Sequence, residues 1–580
     1  MIRSPAGFDG GDRIKRYLDY YQPSYGVMML SAGQFSPASL FAAGEQGAWY
    51  DPSDFSTMFQ DSVGTTPVTA VEQPVGLILD KSKGLALGSE LVTNGTFDTD
   101  TTGWTLSAGT ATVSGGQVTI SGAVTRFLTQ AFTTVVGVTY KVTGQIVTSG
   151  ATFNAIRKSD NATASSNAVT ILSSAGTSSG YFVATATTSY VVLQVNDAGT
   201  ATFDNISVKA LAGNHASQST SASRPVLSAR VNLLTYSEQF DNAAWTKVGV
   251  TASGARITAT AGTSAAYSEI SVLNSPAASL SISVVFPSTS GRHRYVWIAD
   301  RGVPGIASAT FDLNAISVIG SNAGVTASAS TLSDGSVRCV VTYTRASAGS
   351  SSPQFALAGA SHTSDRPSIT WAGGEFLDAK IDFRVTNDGV GIPAYQRIAA
   401  ATDYDTSGFP LYLKFDGTDD TLLGSAVSDF ISASAYEACV GARFNAVTTN
   451  NVNSWLNQSL VADSAGYVGI GMARSTGVVG AFNFDATQDE ITVAMTPPAT
   501  IVLQQRHSGG NLTVSTNQGA EVSTASGNTA ALTGVLQLLK AFGSVFTNGR
   551  LYGVIIRNTA FTTAERANVL TWMNGKTKAY

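Results

Sequence analysis

Apolar and polar residues alternate with period two along much of this chain, and the 3.6-residue spacing of an amphipathic helix is scarce. Gln117-Val118-Thr119-Ile120-Ser121 and Leu280-Ser281-Ile282-Ser283-Val284 alternate as half-buried strands do, because successive side chains of a strand point to opposite faces. Val337-Arg338-Cys339-Val340-Val341-Thr342-Tyr343 follows an Asp334-Gly335 turn signal and reads as another strand. Tyr190-Val191-Val192-Leu193-Gln194-Val195 is a continuous apolar run, which predicts deeper burial. Leu551-Tyr552-Gly553-Val554-Ile555-Ile556 is apolar enough to lie centrally in its sheet. One helix is predicted at the end: Thr562-Thr563-Ala564-Glu565 is a capping box, Val569, Leu570, Trp572 and Met573 form an apolar stripe, and Asn574-Gly575 supplies the stop. A weaker helical pattern spans 12–21, where Ile14, Tyr17, Leu18 and Tyr21 share a face. The pattern predicts an all-β chain of jelly-roll-like sandwiches.

The 580 residues suffice for about three or four domains. Charged residues make up 13%, about half the usual share, and the net charge is −5. That balance argues against nucleic acid as a partner, which calls for a basic domain or stripe. A hydrophobic content of 43% argues against wholesale disorder. Two cysteines, Cys339 and Cys439, exclude a multi-disulfide scaffold and a four-thiolate zinc site, and 4 scattered histidines argue against a histidine-rich metal centre. The first residues lack the apolar stretch of a signal peptide, and no run of about 18 apolar residues predicts a membrane span. The expectation is synthesis in the cytoplasm and no membrane insertion.

Two stretches share one design. The first opens Glu90-Leu91-Val92-Thr93-Asn94-Gly95-Thr96-Phe97-Asp98 and reaches Gly103-Trp104-Thr105; the second opens Asn232-Leu233-Leu234-Thr235-Tyr236-Ser237-Glu238-Gln239-Phe240-Asp241 and reaches Trp245-Thr246. These openings resemble the carbohydrate-binding jelly-roll modules of glycanases and phage tail proteins. The resemblance covers 88–210, which ends Phe203-Asp204-Asn205-Ile206-Ser207-Val208, and 231–398, which closes with Pro393-Ala394-Tyr395-Gln396-Arg397.

The remaining pieces resemble a third module cut apart. Trp49-Tyr50-Asp51-Pro52 and Asp80-Lys81-Ser82 look like the start of a laminin-G or concanavalin-like lectin domain of phage tail proteins. Its continuation, Gly213-Asn214-His215-Ala216, is displaced, and Leu413-Lys414-Phe415-Asp416-Gly417-Thr418-Asp419-Asp420 is displaced again. The implied organisation is an N-terminal attachment segment (1–35), a discontinuous sandwich (36–87, 211–230 and 399–580), and two inserted jelly rolls (88–210 and 231–398). Insertion at loop tips is tolerated because the host core need not change.

The resemblance implies a structural protein of a bacteriophage tail, a fibre or tail tip at the distal end of the virion. It implies adhesion to the host by binding a surface glycan (lipopolysaccharide or capsule) or another receptor, contact with other tail proteins, and a homotrimer. The aromatic cluster Tyr17, Tyr20, Tyr21 and Tyr25 either docks onto another virion protein or packs within the chain. One alternative is a tail spacer that binds no sugar, another a polysaccharide depolymerase.

Within the resemblance, Trp104, Trp245, Trp297, Trp371 and Tyr295 (beside Arg294) are candidate platforms for sugar stacking, with core packing as the alternative. Asp98 and Asp204 occupy positions where related jelly rolls hold a structural calcium, which takes six to eight oxygens. The alternative is that Asp98 caps a turn and Asp204 starts one. Asp416, Asp419 and Asp420 invite the same two readings. His215 is expected to be structural. Gly176-Thr177-Ser178-Ser179-Gly180 spells a nucleophile elbow, yet it lacks the preceding apolar strand and following helix that the elbow needs. Glu269, Glu375 and Asp378 are acids that chance could pair for glycoside cleavage. No catalytic residue is assigned.

Overall fold

The computed structural model describes residues 35–580 apart from 303–304, 387–388, 430, 432–434, 446–457, 466–467, 476, 485–487, 528–531, 542 and 544. The predicted helix at 12–21 and the tyrosine cluster lie outside the described residues. The chain is all-β, with antiparallel sheets and a C-terminal α-helix. The alternating and apolar runs become strands Gln117–Gly122, Thr188–Val195, Ser279–Phe286, Val337–Thr344 and Asn548–Arg557. No helix among the described residues is long and apolar enough to cross a membrane.

Among the described residues, an eight-stranded sheet contains Gly47–Tyr50, Val226–Ser228, Tyr412–Asp416, Tyr436–Phe444 and Asn548–Arg557. A nine-stranded sheet contains Leu77–Ile78, Ala216–Ser217, Leu422–Ala426 and Val535–Leu538. One apolar core joins their facing sides, with Tyr50, Leu413, Phe415, Leu551 and Val554 from the first sheet and Ile78, Ala216, Leu422 and Leu538 from the second. Strands between 87 and 211 form a five- and a six-stranded sheet around Phe97, Trp104, Leu128, Ile146 and Phe203. Strands between 245 and 385 form a six- and a four-stranded sheet, with smaller ones, around Phe240, Trp245, Ile282, Phe355 and Phe383.

Two hydrogen-bonded joints mark where the chain leaves the first pair of sheets and returns. At one, the buried Asp80 carboxylate accepts from the amides of Trp49 (2.7 Å), Ser82 (2.8 Å) and Asn214 (2.8 Å) and from the Ser82 hydroxyl (2.7 Å). The Asp80 amide donates to Nδ1 of His215 (2.9 Å), and the Tyr50 hydroxyl donates to the Asn214 carbonyl. Chain positions about 130 apart are thereby held side by side. At the other joint the Gln396 side chain accepts from the amides of Val231 (2.8 Å) and Asn232 (3.0 Å) and donates to the carbonyls of Ala229 (2.9 Å) and Asp405 (2.8 Å). Asn232 reciprocates, donating to the Gln396 carbonyl (3.0 Å). Both amides are fully buried, and such groups are stable in the interior when hydrogen-bonded.

The helix Thr563–Thr577 has the predicted capping box, with Thr562 at its cap. It does not stop at Asn574-Gly575: it runs to Thr577 and ends on a left-handed Lys578 (φ 55°), whose amide donates to the Asn574 carbonyl (2.7 Å). The Asn574 side chain instead ties the C-terminal residue, taking the Tyr580 amide (3.1 Å) and donating to its carbonyl (2.6 Å). The helix lies on the outer face of the eight-stranded sheet, where Gly441 and Gly553 are register partners. A Cβ on Gly441 would sit 2.6 Å from Thr577 Cγ2 and 2.7 Å from the Met573 sulfur, so a side chain there would push these helix side chains aside. The buried Glu437 carboxylate anchors the helix through Arg566 (2.8 Å).

Candidate functional site

The outer face of the eight-stranded sheet continues beyond the helix into a cleft. Strands Tyr412–Asp416, Asn548–Arg557 and Tyr436–Phe444 each carry a basic residue between apolar ones: Leu413-Lys414-Phe415, Arg550-Leu551 and Ala442-Arg443-Phe444. Leu413, Phe415, Leu551, Ala442 and Phe444 enter the core, so period-two alternation turns Lys414, Arg550 and Arg443 to the opposite side. Register sets the three cations in one lateral row, with Lys414 opposite Arg550 and Arg550 opposite Arg443. Arg443 is held by the Thr500 hydroxyl (3.0 Å), and the Arg550 guanidinium lies 4.6 Å above the Tyr412 ring. The Tyr412 hydroxyl donates to the Arg230 carbonyl (2.6 Å), and Arg230 itself donates to the Asn232 (3.0 Å) and Leu234 (2.7 Å) carbonyls.

Val272, Pro276 and Val385 of the 245–385 sandwich roof this face, leaving a cleft of about 530 Å³. Its polar lining includes Ser228, Asn445 and Asn548, with the Asn445 amide donating to Asn548 (2.8 Å). Glu72 is the carboxylate among the described lining residues, and it accepts from the hydroxyls of Ser228 and Tyr404 (2.6 Å each). Sequence reasoning missed this site. Three strands reading apolar–basic–apolar were a signal, but their register could not be read from it.

The four tryptophans among the sugar-stacking candidates are corrected by their burial. Trp104, Trp245, Trp297 and Trp371 are 8%, 1%, 0% and 5% exposed. Each indole N–H donates to a backbone carbonyl: Asn94 (3.1 Å), Tyr236 (2.9 Å), Thr363 (3.0 Å) and Ser264 (3.0 Å) respectively. The shared Phe–Trp design now has a physical account. Phe97 meets Trp104 at 5.1 Å and Phe240 meets Trp245 at 5.0 Å, while each indole reaches back to the residue that opens its loop. Asn94 and Tyr236 are left-handed (φ 52° and 56°), a conformation that this staple holds in place. Tyr295 is half-buried with Arg294 over its ring (5.0 Å), and Asp312 grips that guanidinium (2.7 Å).

The loop of Asp98 and the strand of Asp204 converge where the Ile206 amide donates to Gly95 (2.9 Å). Asp98 is exposed, and Asp204 lies within the strand Gly199–Leu211, at a register irregularity, where its carboxylate accepts from the amide of the next residue, Asn205 (2.6 Å), so it starts no turn. The loop is already closed by a protein donor, since the Asn94 side-chain Nδ2 donates to the carbonyls of Asp100 (2.8 Å) and Thr102 (3.3 Å). Among the described residues, the acids whose oxygens meet within 4.8 Å are Asp416, Asp419 and Asp420. Their oxygens serve the turn: Asp420 accepts from the Asp416 amide (2.9 Å), Asp416 from Thr418 (2.7 Å) and Asp419 from the Ser223 hydroxyl (2.7 Å). Burial, then the two neighbouring charges, pushes the Asp420 carboxyl up to about 6.

Residues 176–180 lie within the strand Gly176–Val183, so the elbow spelling is extended backbone and no nucleophile turn. Glu269 pairs with Arg366, Asp378 pairs with Arg256 (2.7 Å), and Glu375 accepts from the amides of Ala372 (3.0 Å) and Gly373 (2.9 Å). His215 is buried, and burial pushes its imidazole down to about 4.

No family model matches the chain, and no curated protein matches it. Among solved structures it is similar to the CBM22 tandem domain of Paenibacillus barcinonensis Xyn10C, at 9% identity over 52% of this chain and 99% of that one, with a TM-score of 0.23. It is similar to domains LG4-5 of the mouse laminin alpha1 chain, at 12% identity over 57% and 91%, with a TM-score of 0.16. It is also similar to the Bacteroides ovatus xyloglucan PUL GH43B, at 11% identity over 63% and 83%, with a TM-score of 0.18. Likenesses of this size define neither a family nor a ligand.

Proposed function

We propose that this chain is an adhesive component of a bacteriophage tail, a fibre or tail tip, that binds glycans such as lipopolysaccharide or capsule on the host surface. The observation that carries the binding part is the cleft beside Tyr412, whose volume and mixture of amide, hydroxyl and cationic side chains suit saccharide hydroxyls. The tail part rests on the resemblance of residues 48–54, 80–82, 213–218 and 413–420. In this reading 1–35 attaches to other tail proteins, 36–87, 211–230 and 399–580 form the host sandwich, and 88–210 and 231–398 are insertions. Three copies associate through the sandwiches or the attachment segment, and light scattering at trimer mass is the expected result. Binding without cleavage is proposed because glycoside hydrolysis needs two carboxylates across the scissile bond, and the lining acid Glu72 already serves two hydroxyls.

The test is to offer the purified full chain host envelope glycans and to label it on particles by electron microscopy. Binding together with label at the distal tail is expected. Release of reducing ends from those glycans would convert the reading to a depolymerase. Burial of the four tryptophans favours a second reading, in which the inserted modules are spacers. Tail labelling without binding to any glycan would establish it.

A further inference from the structure

We propose that Lys158 and Asn167 are joined by an isopeptide bond, formed when the Lys158 amine displaces ammonia from the Asn167 carboxamide with Asp160 as the proton carrier. This goes beyond the glycan-binding reading and does not depend on it.

Alternation turns Lys158 inward. It shares a face of the strand Asn154–Ser159 with Ile156, which belongs to the core of the 88–210 sandwich, and it is 2% exposed. Its Nζ lies 5.0 Å from the centre of the Phe182 ring, which stacks on Tyr140 and meets Phe132 edge-on. A lysine is almost never buried so fully unless paired, and Nζ meets Oδ1 of Asp160 at 2.5 Å. The other oxygen of that carboxylate accepts from Nδ2 of Asn167 (2.7 Å) and from the Thr185 hydroxyl (2.7 Å). One carboxylate thus bridges a primary amine and a carboxamide at the edge of an aromatic core.

The backbone brings Asn167 back to this point. The Asp160 amide donates to the Ser166 carbonyl (2.9 Å), and Lys158 is the register partner of Val169 on the next strand. Ala164 and Asn167 are left-handed (φ 52° and 44°), a setting that residues other than glycine keep only where their surroundings impose it.

Held together in this way, the two groups need no encounter step, so proximity replaces a bimolecular reaction. Burial works to raise the Asp160 carboxyl, but the bonds from Lys158, Asn167 and Thr185 outweigh it and hold the carboxyl below its ordinary range, so it meets Lys158 as a base. It takes a proton from the ammonium, and the freed nitrogen lone pair attacks Cγ of Asn167. The Cγ–Nδ2 bond breaks with its electron pair on nitrogen. Both protons that Nζ gives up pass through Asp160 to that nitrogen, so a lysine ammonium and a carboxamide become a secondary amide and an ammonium ion, with no oxidant or reductant. Asn167 is exposed, which gives the ammonium ion a way out. The product removes the charge from a buried lysine, which is costly to keep out of water.

The experiment is the intact mass of the purified full chain, followed by tryptic mapping. The expected mass is about 17 Da below that of the sequence, the loss of one ammonia. Trypsin does not cut after an acylated lysine, so the loss should fall in the uncleaved peptide 158–209, with fragmentation placing it across Lys158 and Asn167. Asn167→Ala, a change at an exposed side chain, should restore the full mass with the circular dichroism of the parent. Lys158→Arg and Asp160→Asn should restore it independently, the first by removing the nucleophile and the second by removing the base. A parent mass equal to that of the sequence would overturn the proposal. A loss of about 18 Da would also overturn it, since water would leave if Lys158 joined Asp160 itself. So would an ammonia loss that persists in Asn167→Ala, which would belong to a succinimide at an Asn-Gly step such as Asn94-Gly95.

Discussion

Replacing Asp80 with alanine tests the joint that brings residues 47–50, 77–82 and 213–217 together. The carboxylate is fully buried and accepts four hydrogen bonds, three of them from backbone amides. Alanine leaves those three amides without an acceptor, at about 1–3 kcal/mol each. Relief of a buried charge works the other way, for burial holds the Asp80 carboxyl above its ordinary range. The net expected loss is about 3–6 kcal/mol of local stability. Asp80→Asn keeps one carbonyl oxygen and turns an amide toward a donor, so it should cost about 1–3 kcal/mol. A chain of several sandwiches has no single unfolding free energy, so hydrogen exchange resolved by peptide is the suitable assay. Protection at Trp49, Tyr50 and Asn214 should fall roughly 10²- to 10⁴-fold in Asp80→Ala, while peptides around Ile282 and Phe355 keep theirs. Wild-type protection at Trp49 and Asn214 in the alanine variant would refute the joint as the fastening of these segments.

Acidification should loosen the same joint. Burial pushes the folded His215 from 6.5 down to about 4, so the unfolded chain binds the extra proton first, and stability falls from pH 6.5 to pH 4 by about 3 kcal/mol. The raised carboxyls of Asp80 and Asp420 act in the opposite sense, so His215→Asn, which keeps an acceptor for the Asp80 amide, should flatten the acid loss in a denaturant series. Identical pH profiles for the two proteins would count against it. Trp245→Ala should destabilise the 245–385 sandwich by about 3–5 kcal/mol with glycan binding unchanged, and full stability with lost binding would show that the indole meets ligand. Chelation by EDTA should leave melting unchanged, because protein donors already close the Asn94–Asp100 loop; a fall of several degrees on chelation, restored by calcium, would place an ion at Asp98 and Asp204.

The strands and the C-terminal helix were legible because their signals are local. Alternation places every second residue on one face, and a capping box is written within four positions, so Gln117–Gly122 and the start at Thr562 follow from neighbours in sequence. The same locality misled at Asn574-Gly575, a stop signal overridden when the asparagine was engaged by Tyr580. The repeated Phe–Trp step was visible as a pattern, but whether its indoles faced sugar or core depended on what lay across each sandwich. Asp80 and His215 stood out as pieces of separated motifs, yet their hydrogen-bonded contact came only when the chain between them folded back on itself. The cation row is the clearest case. Lys414, Arg443 and Arg550 each obey the alternation of their own strand, and a shift of one residue in pairing would scatter them to opposite faces. Register is settled by long-range packing of the core beneath, so the composition of each strand came from local pattern and the site they build together came from the tertiary fold.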